Sequence, residues 1–228
     1  MSQVSRITPS VITVSLLFAA FLILSNLTAF KLVQYAHLIF PAGLVFFPIT
    51  YIFDDILTEV YGFKVSRRII WSALLANIVV MLGTCATVYL SPSPFWHDQQ
   101  AYATVYQAVP RTFLASIVGY LSGEFVNSML LAQLKVRFSG RYLWLRFIVS
   151  TAIGVGIDTI LFSHVAFWGL IPYRVIWSII GTMYGLKLAY EIVVTPITYK
   201  VSNALKRKDN IDHYDTNTAF NPFSLSLD

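Results

Sequence analysis

Charge is scarce in this sequence. Only 12% of its 228 residues are Asp, Glu, Lys or Arg, about half the share of a soluble domain, and that excludes an ordinary water-exposed globule. Cysteine is scarcer still. Cys85, inside an apolar run, stands alone, so an intrachain disulfide and a thiolate metal cluster are both excluded. The histidines number four and none has a second His or Cys at ligand spacing; His164 reads as a core or interface residue, and no metal is implied. Also lacking are an H-E-x-x-H or G-x-S-x-G motif and a nucleophile beside a base, and no cofactor signature takes their place.

What is present is apolar surface. Hydrophobic residues make up 57% of the chain and the mean hydropathy is +0.67. The apolar runs are long enough for helices and lack the two-residue alternation of a barrel strand. The fold class expected is therefore all-α, a polytopic membrane protein with six transmembrane helices. Windows of about 20 residues place the spans near 11–30, 39–60, 68–90, 110–132, 145–171 and 175–200. The first run is longer than a signal-peptide core and no small-residue cleavage site follows it, so it is expected to remain as a span. The longest polar connection, SPSPFWHDQQAYATVYQAVP, lies between the third and fourth spans, with Pro92 and Pro94 ending one helix and Pro110 opening the next. Residues 1–205 read as one membrane domain and 206–228 as a polar, disordered cytoplasmic tail.

Basic residues set the orientation. Arg6, Lys64, Arg67, Arg68, Lys135, Arg137, Arg141, Lys206, Arg207 and Lys208 fall on one side, and only Lys31, Arg111 and Arg174 on the other. The positive-inside rule then gives N-in and C-in. A formal charge of +5 is accounted for by orientation and by contact with anionic lipid, without a nucleic-acid partner. Two three-helix halves would have inverted topology, a common transporter plan, but their sequences establish no repeat.

The polar residues that lipid would reject carry the functional signal. In span two, Asp55 and Glu59 share a helical face with Tyr51, while Asp54 lies about 100° round with Thr50 and Thr58. Glu59, near the basic end, could pair with Lys64 or Arg67; Asp55 is a turn deeper and lacks that excuse. In span four Ser116, Tyr120, Glu124 and Asn127 make a polar stripe, flanked by Gly119 and Gly123, which would let another backbone approach. Asp158 is near the middle of span five, where a carboxylate needs a cation, a proton or a ligand. Lys187 in span six is its natural partner, although Lys187 and Glu191 could also form an intrahelical pair. Asn26 suits either a ligand edge or interhelical contact. Counted together, Asp54, Asp55, Glu59, Glu124, Asp158 and Glu191 outnumber Lys187 and the marginal Arg111. Acids that accept paired N–H groups, with abundant Tyr and Phe to stack on ring faces, suit a flat hydrogen-bonding ligand with a guanine-like lactam-amidine edge.

The segment FPITYIFDDILTEVYGFKVSRRIIW, with Ser25 and Asn26 before it, resembles the hallmark of the queuosine precursor transporter family, also called vitamin uptake transporters. Further matches are RTFLAS from Arg111, STAIGVGIDT around Asp158 and YGLKLAYEIVVTP around Lys187. The likeness covers about residues 15–205, with its motifs in order. It implies a six-helix inner-membrane permease importing a 7-deazaguanine (7-cyano-7-deazaguanine, 7-aminomethyl-7-deazaguanine or queuine) for the queuosine of tRNA. The motif positions are Asn26, Asp55, Glu59, Arg111, Asp158, Lys187 and Glu191; Glu124 stands where the family carries Glu or Gln, and the stripe adds Asn127 to the substrate-binding set. Ser66 replaces the family's usual Ala and reads as a loop change without consequence. A solitary carrier would use the bilayer, a coupling proton or sodium ion and a homodimeric arrangement. The same resemblance also admits the substrate-binding subunit of an ATP-driven vitamin importer, although Ala19, Ala20, Ser25 and Ala29 form no repeated small-residue motif for docking. An intramembrane hydrolase using an acid pair is the third reading.

Overall fold

The computed structural model describes residues 8–29, 31–35, 38–107, 109–216 and 218–223. Helix α1 (Pro9–Thr28) leads into a two-stranded antiparallel ribbon, β1 (Leu32–Tyr35) and β2 (Leu38–Pro41), and then a 3-10 turn (Ala42–Val45). There follow α2 (Phe47–Tyr61), α3 (Phe63–Val88), α4 (Gln99–Gln107), α5 (Val109–Arg137), α6 (Leu143–Phe167) and α7 (Tyr173–Asp209). Boundaries follow local chemistry. Thr8 caps α1, its hydroxyl accepting from the Val11 N–H at 3.2 Å, and Pro9 and Pro48 occupy first-turn positions, where a missing N–H costs nothing.

Among the described residues, four helices are long and apolar enough to cross a membrane: α1, α3, α5 from Phe113 and α6. Together with the exposed apolar side chains along them, such as Leu16, Leu75, Leu82, Leu114 and Ile153, this describes a multi-pass membrane protein. Two expected spans differ from the expectation of six. The window 39–60 is not one helix, since the ribbon and 3-10 turn occupy residues up to Val45, and α2 has 15 residues, about 22 Å of helix against an apolar layer of about 30 Å. Pro41, without an N–H, ends β2 opposite Leu32. Helix α7 is long, but Lys187, Glu191 and its basic last turn lower its hydropathy. The fold is thus mainly, not wholly, helical, and the loop between the third and fourth expected spans contains α4.

Inside, α5 and α6 approach closely through glycine. A Cβ on Gly123 would fall 2.9 Å from the Gly154 carbonyl oxygen, and one on Gly154 would fall 2.7 Å from that of Gly123. The small residues of the stripe therefore serve the backbone approach expected of them. Helix α1 buries Val14, Phe18, Leu22 and Ser25 along one face; Phe18 and Leu22 join Tyr51, Ile70, Tyr120 and Val155 in the main apolar cluster.

The tail corrects an expectation. Residues 210–223 do not trail away but fold back over the α2–α3 junction. The His213 N–H donates to Val60 O (3.1 Å), the Asp215 carboxylate accepts from the Phe63 N–H (3.0 Å) at the start of α3, and the Trp71 indole donates to Pro222 O (2.7 Å). Arg67 donates to Asn221 O (2.9 Å), and the Phe220 ring lies 5.2 Å from that of Phe63. Gly62, at φ 89°, makes the junction possible, because a Cβ there would meet the His213 ring at 2.2 Å. Absence of periodicity misled the sequence reading, since this segment is held by single long-range contacts. Burial alone would raise the carboxyls of Asp212 and Asp215, but hydrogen bonds from Lys135 and Lys206 to the first, and from His213, Phe63 and Thr218 to the second, outweigh it and hold both below the ordinary 3.8. A depressed carboxyl pKa stabilises the docked tail above its unfolded value and loses that contribution as pH falls through the folded one. Protease protection of residues 210–223 should therefore persist from about pH 7 to about pH 5 and fall away below about pH 4; protection unchanged at about pH 3 would show that these carboxylates do not hold the tail.

Candidate functional site

Helix α2 organises the interior. Thr50, Tyr51, Asp54, Asp55, Thr58 and Glu59 are all buried on it, because α1, α3, α5 and α7 pack around so short a helix. Its carboxylates face protein and not lipid, which is the condition for keeping them.

Asp54 and Asp55 meet the stripe of α5. Asp54 accepts hydrogen bonds from Ser66, from Ser128 (2.5 Å) and from the Asn127 amide (3.2 Å). The same amide donates to Asp55 at 2.7 Å, and the Thr151 hydroxyl lies 3.4 Å from Asp55 and 3.3 Å from Asn127 Oδ1. Asn127 thus bridges the two acids. Ser66 is no inconsequential loop position, for it is wholly buried in the first turn of α3 and binds Asp54. Only a structure could show that the turn at Gly62 brings it back onto α2.

Nearer the middle, Lys187 and Asp158 form a buried ion pair, as their matched depth suggests. The Lys187 ammonium also lies 3.3 Å from Thr159 Oγ1 and 4.4 Å from the centre of the Phe47 ring, a cation–π contact. The intrahelical alternative is not realised, since the Glu191 side chain meets Thr195 (3.4 Å) instead. Glu124 accepts from Thr50 through one oxygen (3.0 Å). Its other oxygen, one oxygen of Glu191 and the Tyr51 hydroxyl are buried without hydrogen-bond partners among the described residues. Tyr51 interacts electrostatically with both Asp158 and Glu124, and Asp55 with Glu191. Asp54, Asp55, Glu124, Asp158 and Glu191 are all buried here, and among the described residues Lys187, paired with Asp158, is the cation that joins them.

Glu59 belongs to a different assembly. Arg146 engages it in bidentate fashion at 2.5 and 3.1 Å, Lys206 donates to it at 2.5 Å, and Lys135 lies 3.6 Å away. Lys135 also donates to the Glu59 carbonyl (2.5 Å) and, with Lys206, to Asp212 of the tail. The partners foreseen for it, Lys64 and Arg67, are not these; Arg67 on α3 turns to the tail. Both oxygens of Glu59 are thus taken by cations at the basic end. Arg146, fully buried, was the missed cation. Its signal was an Arg four residues into the apolar run LWLRFIV.

Asn26 joins α1 to α5, donating to Leu22 O (3.0 Å) and accepting from Ser116 (2.5 Å). The contact with Ser116 is interhelical, one of the two uses weighed for it. The Arg111 side chain lies outside the described residues.

Over residues 41–201 the chain matches the vitamin uptake transporter family. It is 30% identical over 179 residues to a Bacillus subtilis protein named "Probable queuosine precursor transporter", covering 77% of each chain. It is 25% identical over 126 residues to the queuosine precursor transporter of Escherichia coli, covering 55% of this chain and 54% of that one. No solved structure matches it.

The ion pair makes a thermodynamic prediction. Lys187→Met should strand Asp158 as a buried unpaired charge and cost about 3–5 kcal/mol, while adding Asp158→Asn should recover most of the loss. Denaturant unfolding of the purified variants measures both, and equal losses in the single and double variants would show that the pair is not what Lys187 supplies.

Proposed function

Since the chain belongs to the vitamin uptake transporter family, we propose that it moves queuosine precursors across a membrane, taking the planar 7-deazaguanine bases as substrates. The observation that carries this reading is the buried acid group around Lys187. Five carboxylates and one ammonium, deep among apolar helices, cost several kcal/mol apiece unless something compensates them, and Glu124 keeps an oxygen that no protein group among the described residues satisfies. A lactam-amidine edge offers adjacent N–H donors, and a carboxylate is the acceptor that takes both.

Asp55, Glu124, Asn127, Asp158, Lys187 and Glu191 are assigned to the substrate-facing wall, with Asp54 beside them. The Asp158–Lys187 pair resets the empty carrier, and a proton or sodium ion supplies the coupling. Glu59 keeps the cytoplasmic end together. For the membrane arrangement we assign six crossings, to α1, α2 with the ribbon before it, α3, α5, α6 and α7, with both termini on the basic, cytoplasmic side of an inner membrane. The Glu59 cluster supports this, because it gathers Arg146, Lys135 and Lys206 at that end.

In cells that cannot make queuosine precursors, Asp158→Asn should abolish queuosine formation from supplied precursor; normal tRNA modification with an equally abundant variant would overturn the assignment. Purified protein should be stabilised selectively by 7-deazaguanines in a thermal-shift panel that includes adenine and guanosine, as ligand linkage to the folded state requires.

A further inference from the structure

Tyr51 has a feature that packing does not explain. Its side chain is 1% exposed, yet its hydroxyl meets no hydrogen-bond partner among the described residues. A buried tyrosine ordinarily finds a partner for its O–H, and leaving one without costs about 1–3 kcal/mol. A phenylalanine would fill the apolar part of this site, where the ring lies edge-on to Phe47 with centroids 5.8 Å apart, without that loss. The hydroxyl reaches the line along which α5 and α6 are held together by glycine. A Cβ on Gly123 would come within 2.4 Å of Tyr51 Oη and 2.6 Å of Asp158 Cβ, so this close placement exists only because residue 123 lacks a side chain. The second unpartnered atom of the neighbourhood is the free oxygen of Glu124, one residue along the same helix from Gly123, whose other oxygen accepts from Thr50, the residue before Tyr51, at 3.0 Å. One is a neutral donor and the other a two-oxygen acceptor.

That combination is complementary to one molecular edge. A guanine-type base presents, in a row, a carbonyl oxygen, a ring N–H and an exocyclic amine. A carboxylate accepts the two N–H groups in parallel, and the carbonyl beside them then needs a donor. We propose that Tyr51 is a specificity-determining residue of the transport site, its hydroxyl donating to the carbonyl oxygen of a lactam base whose N–H groups are held by Glu124. This rests on the reading of the chain as a carrier of 7-deazaguanines and adds to it the group that separates lactam bases from bases without that oxygen. An adenine-type edge, with an amine where the carbonyl would be, a ring nitrogen that only accepts and no exocyclic amine beside it, would leave Glu124 without either N–H donor and set a ring lone pair against it. Rejection by unpaired buried polar groups is how a site built to hydrogen-bond a ligand discriminates most strongly.

The test compares two ligands of nearly equal shape, 7-deazaguanine and 2-amino-7-deazapurine, which lacks the carbonyl oxygen and with it the ring N–H, by equilibrium binding to purified wild-type protein and to Tyr51→Phe, so that the effect of the variant on each ligand isolates the hydroxyl. Wild type should bind the lactam at least about tenfold more tightly, and Tyr51→Phe should weaken lactam binding by about that factor while leaving the affinity for the other ligand unchanged. Equal weakening of both ligands by Tyr51→Phe would reassign Tyr51 to packing and overturn the proposal, as would an unchanged preference. Equal affinity of the wild-type protein for the two ligands overturns the assignment whether or not the variant folds. A wild-type protein that binds neither base would sink the transport reading itself, whereas one that binds both equally leaves that reading standing and removes only the role of Tyr51.

Discussion

A carboxylate cannot remain charged in an apolar layer without a partner, and the interior of this protein is arranged around that constraint. Helix α2 brings four polar or acidic turns into the bundle but is too short to meet lipid along its length. Its neighbours supply what it needs in kind: hydroxyls from α3 and α5 to Asp54, an amide from α5 to both Asp54 and Asp55, and a guanidinium from α6 to Glu59. Apolar residues are displaced to the outside, where Leu16, Leu75, Leu82 and Val193 face outward. The hydrophobic effect settles where the molecule resides, and polar pairing settles how its helices are registered.

The acids divide into two assemblies with different balances. Around Glu59 three cations meet two carboxylates, and every oxygen of Glu59 has a partner. Such saturation favours one fixed arrangement. Around Lys187 the ratio reverses, and hydrogen-bonding capacity is left over on Glu124, Glu191 and Tyr51. Surplus capacity in a buried site is costly as structure and useful for recognition, because a ligand with matching groups recovers the missing bonds. The Gly123–Gly154 contact holds α5 and α6 at the separation that lets Asp158 of α6 and the Tyr51 hydroxyl both lie against Gly123.

Much of this was legible in the sequence. Membrane class follows from hydropathy, the Asp158–Lys187 pair from matched depth on two helices, and the α5–α6 approach from Gly119 and Gly123 in a polar stripe. The unreadable parts depend on chain reversal. The turn at Gly62 carries Ser66 back onto Asp54, which no periodicity of one helix announces. Residues around Pro41 are apolar enough to be taken for the start of a span, but hairpin pairing and the missing proline N–H override hydropathy there. The partners of Glu59 come from positions 87 and 147 residues away, whereas sequence reasoning weighs nearby cations first. The docked tail was missed for the same reason. Its contacts are isolated hydrogen bonds and ring packings, each specific and none periodic.

The Glu59 assembly also bears on the order in which the molecule can be completed. Arg146 lies within α6, but Lys206 is in the last turn of α7 and Asp212 follows that helix. During synthesis the N-terminal part of a protein emerges first, so Glu59 and Lys135 enter the bilayer well before their last partners exist. Arg146 is the first strong ion available to Glu59, and it holds α2 against α6 while α7 is still being made. The arrival of the final turn of α7 and the segment after it then closes the cluster. Assembly of this end of the bundle thereby waits on the last turn of α7, and without Lys206 and Asp212 the ammonium of Lys135 would face Glu59 and Arg146 without a second carboxylate to balance it.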